Sequence, residues 1–206
     1  MPCVVREDRF PELYQKLYNR NLLWQYDYLS QGVRLAIDHL RDPNPRFTAN
    51  FLLSLHHFAV VNLSQTPGRV RTDFVSIEGS DHAPPHPDHV EKLFLGLTHE
   101  VNNRWELSDP VELAAYVLWR LTWVHPFEDG NGRTARAACY YVICVKLGRV
   151  LPGRRMLPEQ FRADPKSFYA CLHHADETAS TDPGGKADLR PLQGLLTTVL
   201  KQQLQS

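Results

Sequence analysis

Two neighbouring segments whose side chains are apolar on nearly every side constrain this fold most. The first, residues 111–124, follows Asp109-Pro110, a pair suited to a helix cap and a first helical turn. The second, residues 133–147, ends at Gly148, a typical helix C-cap. Because helices without a polar face have to be buried, we expect these two to form the centre of a helical bundle.

Further helices are predicted around this pair from apolar residues at helical spacing. They cover residues 10–40, as one long helix or two short ones, then 51–63 behind a cap at Thr48 or Asn50, 90–102, 164–176 and 189–204. No linker or repeat divides the sequence. We therefore predict an all-α fold in a single domain over residues 1–206, with N-terminal helices at about 10–46 and a core at about 47–200.

Residues 69–77 are the one convincing β signal, because β-branched and polar residues mix there between Pro67-Gly68 and Gly79-Ser80. They predict a small β-hairpin. Two interpretations stay open: a surface decoration, or a flap that accepts a strand of another protein by backbone pairing.

The charge balance gives no reason to expect nucleic acid or a membrane as a partner. Lys plus Arg and Asp plus Glu number 23 each, so phosphate recognition has to be local. The longest apolar run, 137–145, is too short to cross a bilayer, and acidic residues stand where a signal peptide needs an apolar core. Without C-x-x-C pairs, the four cysteines are interpreted as thiols of a cytoplasmic protein.

The loop between the two apolar helices has the composition of a phosphate site. Gly130 and Gly132 allow positive φ and close backbone approach, so main-chain donors around Asn131 can face phosphate oxygens at a helix start. Arg133 and Arg136 are three residues apart and therefore share one face of the helix. The loop predicts a polyphosphate cradle without a P-loop.

Two further residues of this loop point to chemistry. Asp129 beside phosphates implies a cation between them, and Mg²⁺ held by one carboxylate and phosphate oxygens is the usual solution. His125 is suited to take a proton from an attacking hydroxyl. Taken singly, each residue also has a structural interpretation, as a helix-end cation, a cap, a turn or a surface ion pair. Phe127 is predicted to be a core anchor.

Histidines elsewhere suggest a metal less strongly. His82, His86 and His89 lie close in sequence, but the prolines among them favour a stiff loop, with Pro87 starting the next helix. The adjacent pair His56-His57 faces different ways on a helix and is a poor ligand set.

The segment from His125 to Arg136 resembles a known family. It matches without departure the signature H-x-F-x-(D/E)-G-N-G-R-x-x-R of the Fic (filamentation induced by cAMP) family. A looser resemblance extends from about Phe47 to Leu200, with residues 68–77 similar to the family's flap and 111–114 similar to the helix that enters the motif.

This resemblance implies a Fic-type bundle and a protein adenylyltransferase, a nucleotidyltransferase that moves AMP from Mg-ATP to a Ser, Thr or Tyr hydroxyl of a target protein. It implies that His125 is the general base and Asp129 the Mg²⁺ ligand. The implied phosphate cradle consists of Gly130, Asn131, Gly132, Arg133 and Arg136, with Arg136 on the terminal phosphate. The implied target-docking flap consists of Arg71, Thr72, Asp73, Phe74, Val75, Ser76 and Ile77.

Many members of the family carry an inhibitory helix with the pattern (S/T)-x-x-x-E-(G/N). Here the only glutamate followed by Gly or Asn is Glu78, and Phe74 stands where Ser or Thr is required. We therefore expect inhibition, if there is any, from a separate small antitoxin chain or from self-assembly.

Two other functions remain as alternatives. One is an enzyme of the same fold that uses another phosphate donor or removes AMP. The other is a catalytically idle nucleotide-binding interaction module, for which His125 and Asp129 would be unnecessary.

Overall fold

A computed structural model of the protein describes residues 4–39, 46–77, 80, 82–152, 159–161, 164–181 and 185–205. In this part of the chain there are seven α-helices of twelve residues or more. They are α1 Pro11–Asp38, α2 Ala49–Val60, α3 Pro87–Asn103, α4 Pro110–Val124, α5 Asn131–Lys146, α6 Pro165–Thr181 and α7 Arg190–Gln205.

Helix α5 lies at the centre of the bundle. Of its 16 residues, 13 are buried, on every side of the helix. Helix α4 packs along it, and α1 and α2 cover its other sides, while α3, α6 and α7 pack against α4. The prediction of a central buried helix pair is confirmed.

The helix ends follow the local sequence signals. The Asp109 carboxylate accepts hydrogen bonds from the N–H groups of Val111 and Glu112, both at 2.9 Å, and Thr48 caps α2 through the N–H of Phe51. The N-terminal region forms one long helix, and α6 runs five residues beyond the predicted end at Asp176.

Buried amides attach α1 to the core. The Asn21 side chain donates to the carbonyl of Val61 at 2.8 Å, and Gln25 donates to that of Leu55 at 3.0 Å. Both accepting groups belong to α2 or its C-cap, so α1 is held in a fixed position beside the site. Residues 40–45 of the predicted N-terminal region lie outside the described residues. Among the described helices, none combines the length and apolarity that a membrane span requires.

The predicted β-hairpin is not seen: residues 69–77 have no strand pairing, and the backbone bends at Asp73. The N–H of Arg71 donates to Pro126 of the loop between α4 and α5 at 2.8 Å. Pro84 and Pro85, on the returning segment, have no N–H to offer to a ladder. The β-branched residues therefore form no strand here, where the prolines of the returning segment offer no donors.

The cap of α4 gives a first prediction. Asp109→Ala removes the acceptor of two N–H groups and should lower the free energy of unfolding by about 1 kcal/mol, measured by urea denaturation. Asp109→Asn keeps an acceptor and should stay within about 0.3 kcal/mol of wild type. Equal losses in the two variants would contradict the capping role.

Candidate active site

The site begins where α4 ends, at His125. This residue adopts a left-handed conformation with φ 47° and ψ 60°, and Asn62 is the only other non-glycine residue of the described chain with positive φ. The following Pro126 disfavours continuation of the helix, so the chain turns away from α4 here. The turn leaves the imidazole half-buried at the end of α4.

Arg71 holds this turn in place. Its Nε donates to the carbonyl of His125 at 2.7 Å, and its two terminal nitrogens donate to the carbonyls of Asp73 and Pro85 at 2.9 and 2.8 Å. Only 3% of Arg71 is exposed. Its guanidinium therefore links residues 71–77 and 85 to the backbone of His125, and it does not face solvent.

Two hydrogen bonds of the Asn131 side-chain amide close the loop. The Asn131 side chain accepts from the N–H of Phe127 at 2.9 Å and donates to the Phe127 carbonyl at 2.8 Å. The Phe127 ring is fully buried, as expected of a core anchor. Both polar atoms of the Asn131 side-chain amide are bonded within the loop, so this side chain shapes the loop. Only the main chain of Asn131 is left for a ligand.

His56 of α2 lies beneath the loop and is fully buried. Its ring stacks on Phe127 with centroids 3.7 Å apart and planes 3° apart. Nδ1 accepts from the N–H of Gly68 at 2.9 Å, which assigns the proton to Nε2, and Nε2 lies 2.9 Å from the carbonyl of Asp129. Burial lowers the pKa of His56 to about 4, in agreement with a neutral ring.

Gly130 is required by two features of the loop. Its φ is +77°, and a Cβ at this position would lie 2.5 Å from Cγ1 of Val60 and 3.3 Å from Cδ2 of His56. The backbone of the loop thus lies directly on α2. Gly130 caps α5 without a side-chain hydrogen bond, so the first N–H groups of that helix face outward.

The two arginines of the motif lie in different environments. Arg133 has a side-chain exposure of 8%; its Nη1 donates to the carbonyl of Ala59 at 2.6 Å and its Nη2 to Asp129 at 2.8 Å. The guanidinium also lies 5.0 Å from the ring centroid of Tyr18 in α1. Arg133 therefore joins α1, α2 and the loop.

Arg136 lies nearer to solvent. Its guanidinium passes over Gly132, since a Cβ built there would be 3.0 Å from Nη1. Asp129, at the outer edge of the loop, has a side-chain exposure of 53%. An Arg136 cation, an Asp129 carboxylate and the outward N–H groups of α5 thus share one surface.

The imidazole of His125 is arranged as a proton acceptor. Nδ1 lies 3.4 Å from the carbonyl of Thr122, one turn back in α4, a contact that places the proton on Nδ1 and leaves the lone pair of Nε2 outward. Burial lowers the pKa of His125 to about 4, assisted by the charge of Arg71. The ring is therefore neutral at pH 7.

A cavity of about 580 Å³ opens beside the end of α4. Thr122 and Ile77 line it on one side and Tyr169 and Asp176 of α6 on the other. At its inner end His82 lies 2.8 Å from the carbonyl of Trp123. Its volume is in the range of sites for small organic ligands.

Asp176 is one of two acidic residues that line this cavity, beside Glu177. It accepts a 2.8 Å hydrogen bond from the indole N–H of Trp119, and burial raises the pKa of its carboxyl group. Among the described residues, no three side chains of His, Cys, Asp or Glu are grouped as a metal site would require.

The structure brings together most of the residues that the sequence singled out. His125, Asp129, Gly130, Gly132 and Arg136 surround the start of α5. Arg71 and the side chains of Asn131 and Arg133 instead support the loop from inside. The supporting role of His56 was not predicted, since the sequence shows only two adjacent histidines. The one sequence signal that could have pointed to it is its hydrogen-bond partner Gly68, a turn residue.

A helical domain with a glycine-framed loop at the start of a buried helix is thereby defined. Residues 46–143 match the family model described as the Fic/DOC family. The chain contains a domain of this family.

Two relatives match part of the chain. The chain is 43% identical over 75 residues to a protein adenylyltransferase Fic of Nematostella vectensis, covering 34% of this chain and 16% of that one. It is 34% identical over 127 residues to the protein adenylyltransferase fic-1 of Caenorhabditis elegans, covering 61% and 23%. The chain thus spans less than a quarter of the length of either relative.

The fold is similar to that of a Fic-domain-containing signalling protein of Bacteroides thetaiotaomicron. The TM-score is 0.68 at 24% identity, over 88% of this chain and 70% of the other. At this identity the likeness concerns the fold.

The contact between Gly130 and Val60 gives a second prediction. Gly130→Ala should destabilise the protein by about 2 kcal/mol or more, because the left-handed conformation and the overlap with Val60 both oppose a methyl group. Gly132→Ala is the matched control, since the new Cβ would meet only the end of the flexible Arg136 side chain. Urea denaturation of both variants checks the difference, and equal stability would contradict it.

The two buried histidines predict a pH dependence of stability. Their pKa values of about 4 lie below the ordinary 6.5, so between these values the unfolded chain binds more protons and stability falls as pH falls. From pH 7.5 to 5 the loss should reach at most about 2 kcal/mol for each histidine.

Urea denaturation across this pH range measures that loss. His56→Phe should remove about half of the slope. His57→Phe, at the exposed neighbour, should retain it. A slope that is the same in wild type and His56→Phe would show that His56 is not buried in its neutral form.

Proposed function

We propose that the protein is a protein adenylyltransferase, which transfers AMP from ATP to a hydroxyl group of a target protein. The observation that carries the proposal is the position of a neutral His125 beside an anion-binding helix start whose sequence matches the whole motif. The relatives named above bear this activity in their names.

The nucleotide would lie along the start of α5. Main-chain N–H groups of residues 131 and 132 and the helix dipole would bind the phosphates, and Arg136 would bind the terminal phosphate. The cavity between α6 and the residues Ile77, Ser80 and His82 is also lined by Thr122, three residues before His125, and has room for a nucleoside. Arg133 would hold Asp129 and the loop in position from the buried side of the loop.

Asp129 would bind the magnesium ion of Mg-ATP. Its exposed carboxylate offers hard oxygen donors, and a single carboxylate is enough when the phosphates supply further ligands. Magnesium, when bound, would neutralise phosphate charge. In the structure Asp129 Oδ2 is paired with Arg133, and this pairing orients the carboxylate toward the loop surface.

The chemical step would be in-line attack at the α-phosphorus. The target oxygen forms the new P–O bond, the bond to the β-phosphate oxygen breaks, and pyrophosphate leaves. Nε2 of His125 takes the proton of the attacking hydroxyl. Its outward lone pair suits this role, and its low pKa keeps it available well below pH 7.

Residues 72–77 would dock the target segment. They form no strand pairs in the structure, and Thr72, Asp73, Phe74 and Ser76 are exposed, with Phe74 at 73%. An extended target segment could pair with this backbone, which would complete a two-stranded arrangement. Arg71 is excluded from direct docking by its burial and would hold the segment in position.

Restraint by a separate antitoxin chain remains part of the proposal. It rests on the failure of the inhibitory pattern at Glu78, which itself lies outside the described residues. The alternatives of another phosphate donor and of an idle module are outcomes of the following experiment.

Transfer of label from ATP tests the activity. Wild-type protein with Mg²⁺, cell extract and α-labelled ATP should label one or a few proteins. γ-labelled ATP should give no label, since pyrophosphate leaves. His125→Ala should reduce the initial rate by at least about 10²-fold, the contribution of a general base.

One control variant and one variant of the proposed magnesium ligand make the result specific. His57→Ala changes an exposed histidine of α2 and should keep the wild-type rate. Asp129→Asn should raise the Mg²⁺ concentration needed for half-maximal rate. Label from γ-labelled ATP would show a kinase-like reaction, and no label from either form would favour another donor or an idle module.

A further inference from the structure

We propose that His56 is a positioning residue for the transfer reaction. Its buried imidazole joins the Asp129 loop to the segment 69–77. This inference rests on the proposed adenylyl transfer, because it concerns the relative position of the nucleotide side and the target side of that site. It assigns a function to a residue that contacts neither substrate.

The geometry of His56 provides two separate connections. Nε2 meets the carbonyl of Asp129, the residue that carries the exposed carboxylate. Nδ1 accepts from the N–H of Gly68, three residues before Arg71. One rigid ring therefore sets the distance between the loop and the start of the docking segment.

The surroundings leave this ring no freedom to adjust. It is fully buried and lies flat against Phe127, and a Cβ at Gly130 would come within 3.3 Å of its Cδ2 and 3.4 Å of its Nε2. A side chain that is packed on all sides and hydrogen-bonded through both polar atoms cannot shift at one end without shifting at the other.

Arg71 provides a second connection from the same segment. It bonds to the carbonyl of His125, while His56 bonds to that of Asp129. The docking segment is thus connected to the loop at the backbone carbonyl of His125 and at the backbone carbonyl of Asp129. Two such connections fix an orientation as well as a distance, which in-line transfer requires.

Three substitutions of His56 remove its two hydrogen bonds together or one at a time. His56→Phe keeps a ring against Phe127 and removes both hydrogen bonds. His56→Gln keeps a donor near the Nε2 position for Asp129, whereas His56→Asn keeps an acceptor near the Nδ1 position for Gly68. His57→Phe changes the exposed neighbour and serves as the matched control.

Steady-state kinetics should show an effect on turnover. His56→Phe should lower kcat about 10- to 100-fold, the effect of losing two buried hydrogen bonds, while the KM for ATP changes less than about threefold because the start of α5 is intact. His56→Gln and His56→Asn should each retain an intermediate kcat. An unchanged kcat in His56→Phe would overturn the proposal, as would a loss that follows only the folded fraction measured by thermal unfolding.

Amide hydrogen exchange tests the coupling without reference to activity. His56→Phe should accelerate exchange in residues 66–72 and in 127–131, His56→Gln mainly in 66–72, and His56→Asn mainly in 127–131. Uniform acceleration along the chain, or none, would overturn the proposal. If wild type transfers no AMP while this exchange pattern holds, the proposed function fails and the connection through His56 stands.

Discussion

Burial of α5 on all sides is the constraint on which the rest of the structure depends. A helix surrounded by α1, α2 and α4 has only its two ends for polar function. Exposed residues 147–150 follow its C-terminal end, and the polar residues of the motif lie at its start. The dipole of α5 and its unsatisfied N–H groups point to the same place, so the packing of the core selects the location of the site.

The loop at that place is held by side chains that a ligand does not reach. Asn131 closes it, Arg133 ties it to Ala59, and His56 supports it from α2. Asn131 and Arg133 belong to the motif, yet these contacts occupy their side chains on the inner side of the loop. A signature of polar residues thus divides into an inner set that shapes the loop and an outer set that faces solvent, His125, Asp129 and Arg136.

Sequence patterns predicted the helices well because apolar spacing and caps such as Asp109 act locally. They placed the candidate site in a single loop for the same reason, since its residues are close in sequence. They failed for residues 69–77, whose pairing depends on whether the segment that follows offers donors, and Pro84 and Pro85 do not. They also missed His56, whose partners Gly68 and Asp129 lie 12 and 73 residues away.

The attachment of residues 72–77 through Arg71 has a consequence for protein engineering. A strand in a ladder is fixed by many backbone bonds, so changes to its residues disturb its register. Here one buried side chain at the start of the segment holds it against the backbone of His125, and the exposed residues beyond are not bound to a neighbouring strand. This makes 72–77 a cassette that can be exchanged between proteins to redirect the site, provided that Arg71 and Pro85 are retained.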